Sequence, residues 1–515
     1  MDEQRNLGAE ERTTALVAAS ETKWILLFCV LAALHVYVFS AAFPFFNNVD
    51  EQAHFDLALR YSHGNIPRTM VPFADEAMPY FGLYSAAFYL GPATHVTEFL
   101  PPPWEWPPEK QELMIHAARA TMGGINQESS QPPLYYALAG AWWRLSGWFA
   151  PDPGHRLYWL RFLNVPIMAL LVWLGWVGAR LVFGDDLFPR LAVPALIAFL
   201  PQSAFYSIQS DVLSPVCCGT VFVCLVRLLR GDACTVPQGL GTGLALASCY
   251  LAKSTNLPFL AAAVLALGFI AWERQRSGKL RTSWPSFAAL AICAAVPAGL
   301  WMAWCQQHFG SLTGSQPKVT VLGWTVKPFG EWWHHPLFTV PGLWNFFSKL
   351  TASFWQGEMM RHGRPLEAPL VSAAYVSITW LFLAAAVFFG ARRSGLVSPL
   401  QRRALGFSLL SVVAMVGFLG GLSIIYDFHD CFRPSRAEPF FTSGRMILGV
   451  LIPFLLLLVY GLERMLNLLR LGLRAKLCAL AGLVAFMSLA EITVNWPVFS
   501  NSYNYFHMSY GEASR

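Results

Sequence analysis

Charge is what this sequence has least of. Asp, Glu, Lys and Arg make up 13% of its 515 residues, about half the share of an ordinary soluble domain. The net charge of +6 is too small for a nucleic-acid patch and fits short basic loops instead. Cysteine gives no disulfide framework: most of the ten lie in apolar segments, and only Cys431 falls in an expected outer loop. No Asn-x-Ser/Thr sequon occurs, which points to a bacterial source. No His or Cys spacing resembles a zinc site. The first apolar run lacks a small-residue cleavage site, so it reads as an uncleaved helix.

What the chain has is apolar length. It is 55% hydrophobic and 15% aromatic, with mean hydropathy +0.44. The expected class is an all-α polytopic membrane protein. Apolar runs of near-spanning length cover 24–43, 159–181, 190–209, 211–230, 238–252, 255–272, 285–305, 369–390, 404–426, 445–462 and 475–495. A twelfth run, Leu134 to Phe149, is short and carries Trp142, Trp143, Arg144 and Trp148, residues that mark an interface.

Positive charge sets the orientation. With the N-terminus inside and 134–149 lying on the surface, three short loops hold the inner positive charge. They carry Arg274, Arg276, Lys279 and Arg281; Arg392, Arg393, Arg402 and Arg403; and Arg464, Arg470, Arg474 and Lys476. That is the pattern of cytoplasmic loops. The expectation is eleven transmembrane helices, N-terminus in and C-terminus out, in a bacterial inner membrane. Residues 1–23 form an inner tail, 24–495 one membrane domain and 496–515 an outer tail. His116, Trp143 and His334 are then outward, and Arg276, Arg393 and Arg470 inward. Two long outer loops, 44–158 and 306–368, are rich in Trp, Pro and Phe and should carry helices that hug the membrane. Loops of that length are usually functional.

The chemistry gathers at the outer face. Pro44 ends the first run, and Asp50, Glu51, His54 and Asp56 follow. Charges beside a membrane exit sit at the interface or act there. Asp50 and His54 are four apart and share a helix face; alternatively, Asp50 or Asn48 merely caps that helix. Glu128 and Asp211 arrive from two further segments, the convergence that a general base and its support need. Arg161, Lys253 and Arg445 stand at outer helix ends. They either snorkel or bind a phosphate at the membrane surface. Gly444 would let such a phosphate approach the backbone. A hard cation, Mg or Mn, held by Asp50 and Asp211 is another use of the same acids; no other metal or cofactor is implied.

In these residues the chain resembles the GT-C superfamily of membrane glycosyltransferases, and most of all an uncharacterised bacterial branch of predicted membrane proteins within it. The resemblance runs in order through most of the chain. It comprises Asp50-Glu51 with His54, Glu128 with Gln131-Pro132-Pro133-Leu134-Tyr135-Tyr136, and Leu160-Arg161-Phe162-Leu163-Asn164. Pro201 leading to Ser210-Asp211, Lys253, Ser353-Phe354-Trp355 and Ser443-Gly444-Arg445 complete it. Relatives often carry His where Ser130 stands, and no large C-terminal soluble domain follows, so acceptor choice would fall to the loops.

The resemblance implies a GT-C-like fold and an inverting transfer of a sugar from a polyprenyl-phosphate donor to an acceptor hydroxyl on the outer face. The acceptor would be an envelope glycan, lipid or protein, with no nucleic acid involved. Asp50, Glu51 and Asp211 would be the catalytic acids. His54, Glu128, Gln131, Arg161, Lys253, Trp355 and Arg445 would bind substrate. Three rival readings are a flippase or transporter of lipid-linked sugars, an oligosaccharide ligase or polymerase of another fold, and a non-enzymatic scaffold. A transporter would place its charges mid-helix in repeated halves, and no internal repeat is visible.

Overall fold

The computed structural model describes residues 2–85, 101–150, 152–231, 234–362, 364–392, 397–431, 433–499 and 501–508, with side chains from residue 21. It is an all-α polytopic membrane protein. Among the described residues strand is confined to two pairs of two-residue strands: Thr325–Val326 with Tyr426–Asp427, and Met360–Arg361 with Arg364–Pro365.

Among the described residues nine segments are long and apolar enough to cross a bilayer. They are Glu21–Ala42, Pro153–Phe183, Ser210–Leu229, Ser254–Arg276, Leu280–Phe309, Pro369–Ala391, Pro399–Ile425, Gly444–Leu468 and Leu473–Phe499. Each matches one of the eleven apolar runs, six containing it whole and three ending one residue short of it. The other two runs are helical but shorter. Leu187–Ala198 has 12 residues, about 18 Å of rise. It stops because Pro201 disfavours helical backbone just before it, and a 3₁₀ turn, Ser203–Tyr206, follows. Val236–Ala252 has 17 residues. The first helix runs unbroken from Asp2 to Ala42, so the expected inner tail is helical. Leu134–Phe149 has 16 residues and packs across Glu51–Ser62, where Gly140 lies against the Ser62 backbone.

Two spans form the centre. The segment Gly444–Leu468 is 94% buried and Ser210–Leu229 78% buried, against 17–50% for the rest. A helix apolar on every side belongs inside a bundle. Close packing is set by small residues. A Cβ on Gly239 would meet the Ser286 carbonyl oxygen at 2.2 Å, and one on Gly243 that of Leu290 at 2.4 Å. This four-residue spacing lets Val236–Ala252 lie directly on Leu280–Phe309.

Chain direction then sorts the ends. The residues after Ala42, before Leu213, after Ala252, after Phe309 and before Met446 all meet at one end of the bundle. The basic segments lie at the other: Arg403 of one pairs with Glu273 beside the next at 2.7 Å. Arg393 lies outside the described residues. His116, His334, Arg276 and Arg470 are all exposed. Cysteines placed singly at these positions in a cysteine-free background should label in two pairs, 116 with 334 and 276 with 470, from opposite sides. Labelling of 116 and 276 from the same side would overturn the orientation.

Candidate functional site

The site begins where the first helix stops. Asp50 occupies the N-cap position of Glu51–Ser62, yet its side chain makes no capping bond. Its backbone is left-handed, φ 63°, a conformation that costs most L residues about 1–2 kcal/mol and that Asp tolerates better than most. The carboxylate turns away from the helix. Oδ2 accepts from Arg445 at 2.5 Å and Oδ1 from Gln127 Nε2 at 3.0 Å. Capping does not account for this side chain, and strain of this kind collects where a group must be aimed.

Arg445 is the hub. Besides Asp50 it reaches Glu358 at 3.3 Å and Asp211 at 3.7 Å. Three carboxylates from three distant segments thus surround one guanidinium. Exposure divides them into rim and floor. Asp50 and Glu358 keep 25% and 23% of their side chains exposed, while Asp211 keeps 2%. Lys253 pairs with Asp211 on that floor. Lys318, from the second long loop, pairs with Glu128 on the opposite wall. His54 is buried beside them, its Nδ1 2.7 Å from the Tyr136 hydroxyl.

The protonation states follow from burial set against neighbours. Burial works against ionising Asp50, but Arg445 and Lys318 outweigh it and hold the carboxyl below the usual carboxylate range. Burial pushes Glu358 the other way, above that range, although Arg445 pulls it down. Glu128 is lowered: burial raises it, and Lys318 and His54 more than offset this. Burial brings His54 down to about 4 against the pull of Glu128, so its imidazole is neutral near pH 7. The two rim carboxylates have therefore been pushed apart, the usual sign of divided acid and base roles.

Other expected site residues are placed elsewhere. Glu51 and Arg161 do not join the cluster. Arg161 is fully buried, and all five of its N–H donors are used: two on Glu51 at 2.8 Å each, the others on the Ser40, Phe43 and Pro44 carbonyls. Its guanidinium also lies 3.8 Å from the Phe45 ring. Glu51 accepts from the Phe46 and Ile208 amides as well. Neither residue has a group left for phosphate or for a proton. Trp355 points into the core, donating to Thr379 Oγ1 at 2.8 Å and stacking on Tyr375. Gln131 is buried with its Oε1 unpartnered.

Gly444 serves packing, not a phosphate. A Cβ there would meet the Phe354 amide nitrogen at 2.1 Å, and the Gly444 N–H is taken by Ser353 Oγ at 2.9 Å. Asp50 and Asp211 also do not make a cation site: the Arg445 guanidinium stands between them. Among the described residues no group of three or more His, Cys, Asp or Glu is placed to hold a metal ion.

Glu358, Lys318 and Gln127 are the members that sequence reasoning missed. Glu358 follows Gly357 directly after the amphipathic helix Val340–Gln356. An acid at the end of an interfacial helix in a long outer loop was the available signal.

The fold and this cluster define a polytopic membrane protein with a partly open charged site at one end of its bundle. The chain belongs to the family described as Predicted membrane protein (DUF2142), whose model matches residues 33–424. Two solved structures are similar. One is the archaeal oligosaccharyltransferase AglB from Archaeoglobus fulgidus, in complex with an inhibitory peptide and a dolichol-phosphate. It is 13% identical with a TM-score of 0.45, over 93% of this chain and 55% of AglB. The chain thus spans about half the length of AglB. The other is ArnT from Cupriavidus metallidurans bound to undecaprenyl phosphate: 12% identity, TM-score 0.32, 85% of this chain and 78% of ArnT. No curated protein matches the sequence.

Proposed function

We propose that this protein is a GT-C-like glycosyltransferase that moves a sugar from a polyprenyl-phosphate donor to an acceptor hydroxyl at the extracytoplasmic face. The observation that supports this reading best is Arg445 with Asp50, Asp211 and Glu358 around it, at the bundle end opposite the basic segments. Basic loops face the cytoplasm, so on this reading the cluster faces out, on the side where an outer-leaflet lipid phosphate would lie.

The arrangement suggests a coupled first step. A donor phosphate entering the rim competes with Asp50 for the Arg445 fork, which suits phosphate geometry. As Arg445 turns to the phosphate, Asp50 loses the charge that kept it a weak base. It can then take the proton from the acceptor hydroxyl as that oxygen attacks the anomeric carbon, inverting it while the lipid phosphate leaves. Lys318 on the rim adds charge to the leaving group. Asp211 and Lys253 lie beneath as support. Positioning and charge stabilisation supply the rest of the barrier reduction.

Donor binding tests the reading. Arg445→Lys keeps the charge and loses the fork, so polyprenyl-phosphate affinity in nanodiscs should fall by about 1.5–3 kcal/mol, roughly ten- to a hundredfold. Lys253→Gln should weaken it less, since Lys253 serves Asp211. Unchanged affinity in Arg445→Lys would remove Arg445 from the phosphate site and leave the proposal without its main support.

A further inference from the structure

Glu358 is aimed at the rim by a backbone held at three points. Gly357 before it is left-handed, φ 78°, and a Cβ there would meet Ser203 Oγ at 2.0 Å, so glycine alone fits. The Glu358 amide donates to the same Ser203 Oγ at 3.1 Å. The Met360 amide donates to the Asn47 carbonyl at 3.4 Å, three residues before Asp50. The segment that carries Glu358 is thereby tied to the turn that carries Asp50. Both acids look onto Arg445 from the rim.

The two oxygens of Glu358 are not alike. Oε2 accepts from Ser443 Oγ at 2.7 Å and lies 3.3 Å from Arg445 Nε. Both neighbours present hydrogens to it. Oε1 has no hydrogen-bond partner among the described residues, and the side chain is 23% exposed. A proton on this carboxyl therefore belongs on Oε1, facing the rim. The surrounding charges favour such a proton. Asp50 and Asp211 already share the guanidinium, while Lys253 and Lys318 pair with Asp211 and Glu128. Glu358 has no cation of its own, and burial holds it above the usual carboxylate range.

The edges of Arg445 are divided too. Nε faces Glu358, Nη2 faces Asp50, and Nη1 is the atom nearest Asp211. A phosphate that replaces Asp50 on Nη2 leaves the Nε edge with Glu358. It arrives beside a carboxyl whose free oxygen carries a hydrogen.

We infer that Glu358 is the proton donor to the departing lipid phosphate. The inference rests on the proposed glycosyl transfer and adds an acid to the base proposed at Asp50. The acceptor oxygen bonds to the anomeric carbon and gives its proton to Asp50. The bond from that carbon to the phosphate oxygen breaks, and its electron pair stays on the phosphate. Glu358 Oε1 gives its proton to the phosphate, which leaves as a monoanion rather than a dianion. Asp50 then releases a proton to water and Glu358 takes one up, so the site is restored without another reactant. General acids act in this way where charge develops on a leaving group.

Binding of undecaprenyl phosphate to the full-length protein in nanodiscs, measured against pH, tests this. The lipid is the leaving group of the reaction, and its free phosphate loses a second proton at about pH 6. Once free Glu358 is ionised as well, the complex must take up one proton for Glu358 and the phosphate to share. Affinity should then fall about tenfold per pH unit. Calorimetry on the wild type in two buffers of different ionisation enthalpy should count an uptake approaching one proton. Glu358→Gln keeps an oxygen for Ser443 and can place an N–H at the Oε1 position, but it has no proton to give. Its affinity should level off over the same range, and its thermal unfolding should match the wild type. Asp50→Asn should keep the slope. A slope shared by wild type and Glu358→Gln would overturn the inference and leave the transfer reading standing. A slope lost in Asp50→Asn and kept in Glu358→Gln would also overturn it. Undecaprenyl phosphate that does not bind the wild type at all would end both.

Discussion

Replacing Asp50 by Asn should give a folded protein that still binds donor and transfers sugar about 10²–10⁴-fold more slowly, the range of a positioned acid–base group. The substitution suits the site. Asn tolerates the left-handed backbone of this position better than most residues. Its one side-chain oxygen can still accept from Arg445, and its amide can donate to Gln127 if that side-chain amide turns over. What it cannot do is take a proton. Expression, thermal stability, donor affinity and single-turnover transfer on one preparation would decide it. Near-normal transfer would end the claim and bring Glu358 forward, since burial already lifts that carboxyl above the ordinary range.

The pH profile carries the same idea with a definite sign. In the free protein Arg445 keeps Asp50 ionised to unusually low pH. Donor phosphate draws Arg445 away, so the Asp50 pKa should rise in the complex. The acid limb of kcat/KM, which reports the free enzyme, should therefore lie at lower pH than the acid limb of kcat, which reports the complex. Coincident limbs, or limbs that move in Glu358→Gln and not in Asp50→Asn, would contradict the coupling of phosphate binding to base strength.

Much of the architecture was legible because a bilayer leaves few choices. Every buried backbone group must be satisfied within a helix, so apolar runs alone locate the spans. The exceptions are local. The run 190–209 looks like one span, but Pro201 and the polar Gln202-Ser203 end the helix at Ala198. These residues form the wall behind Asn48, whose side-chain amide donates to Ser203 and Ser207. The site was half legible. Asp50, Asp211, Lys253 and Arg445 each stand at a helix end on the same side, so a topology alone brings them near one another. Pairing was not legible. Glu51 and Arg161 are 110 residues apart, and sequence shows two charges without showing that each consumes the other. Glu358 and Lys318 come from a long loop whose path no periodicity fixes. They entered the cluster through tertiary packing of Val340–Gln356 and Ser315–Val321, which composition does not encode.

The Glu51–Arg161 pair makes the second large prediction, on stability. Arg161→Ala should destabilise the protein by about 3–5 kcal/mol, the cost of leaving a buried charge without its partner. Glu51 would keep two amide donors, from Phe46 and Ile208, and lose the cation. Three backbone carbonyls around the first helix end, at Ser40, Phe43 and Pro44, would lose their donors too. These carbonyls belong to the turn that delivers Asp50 to the cluster, so the loss should spread to the site. The double variant Arg161→Met with Glu51→Gln removes both charges, keeps an oxygen for one of the two amides and fills similar volume. It should recover a good part of the stability, because a buried pair replaced as a unit is far less costly than one broken. Thermal unfolding of the three proteins in one detergent, with polyprenyl-phosphate binding on whatever remains folded, distinguishes a structural bolt from a phosphate ligand. A stable Arg161→Ala that no longer binds donor would show that the residue serves the substrate. A destabilised Arg161→Ala, with donor affinity kept in the double variant, would show that it holds the turn.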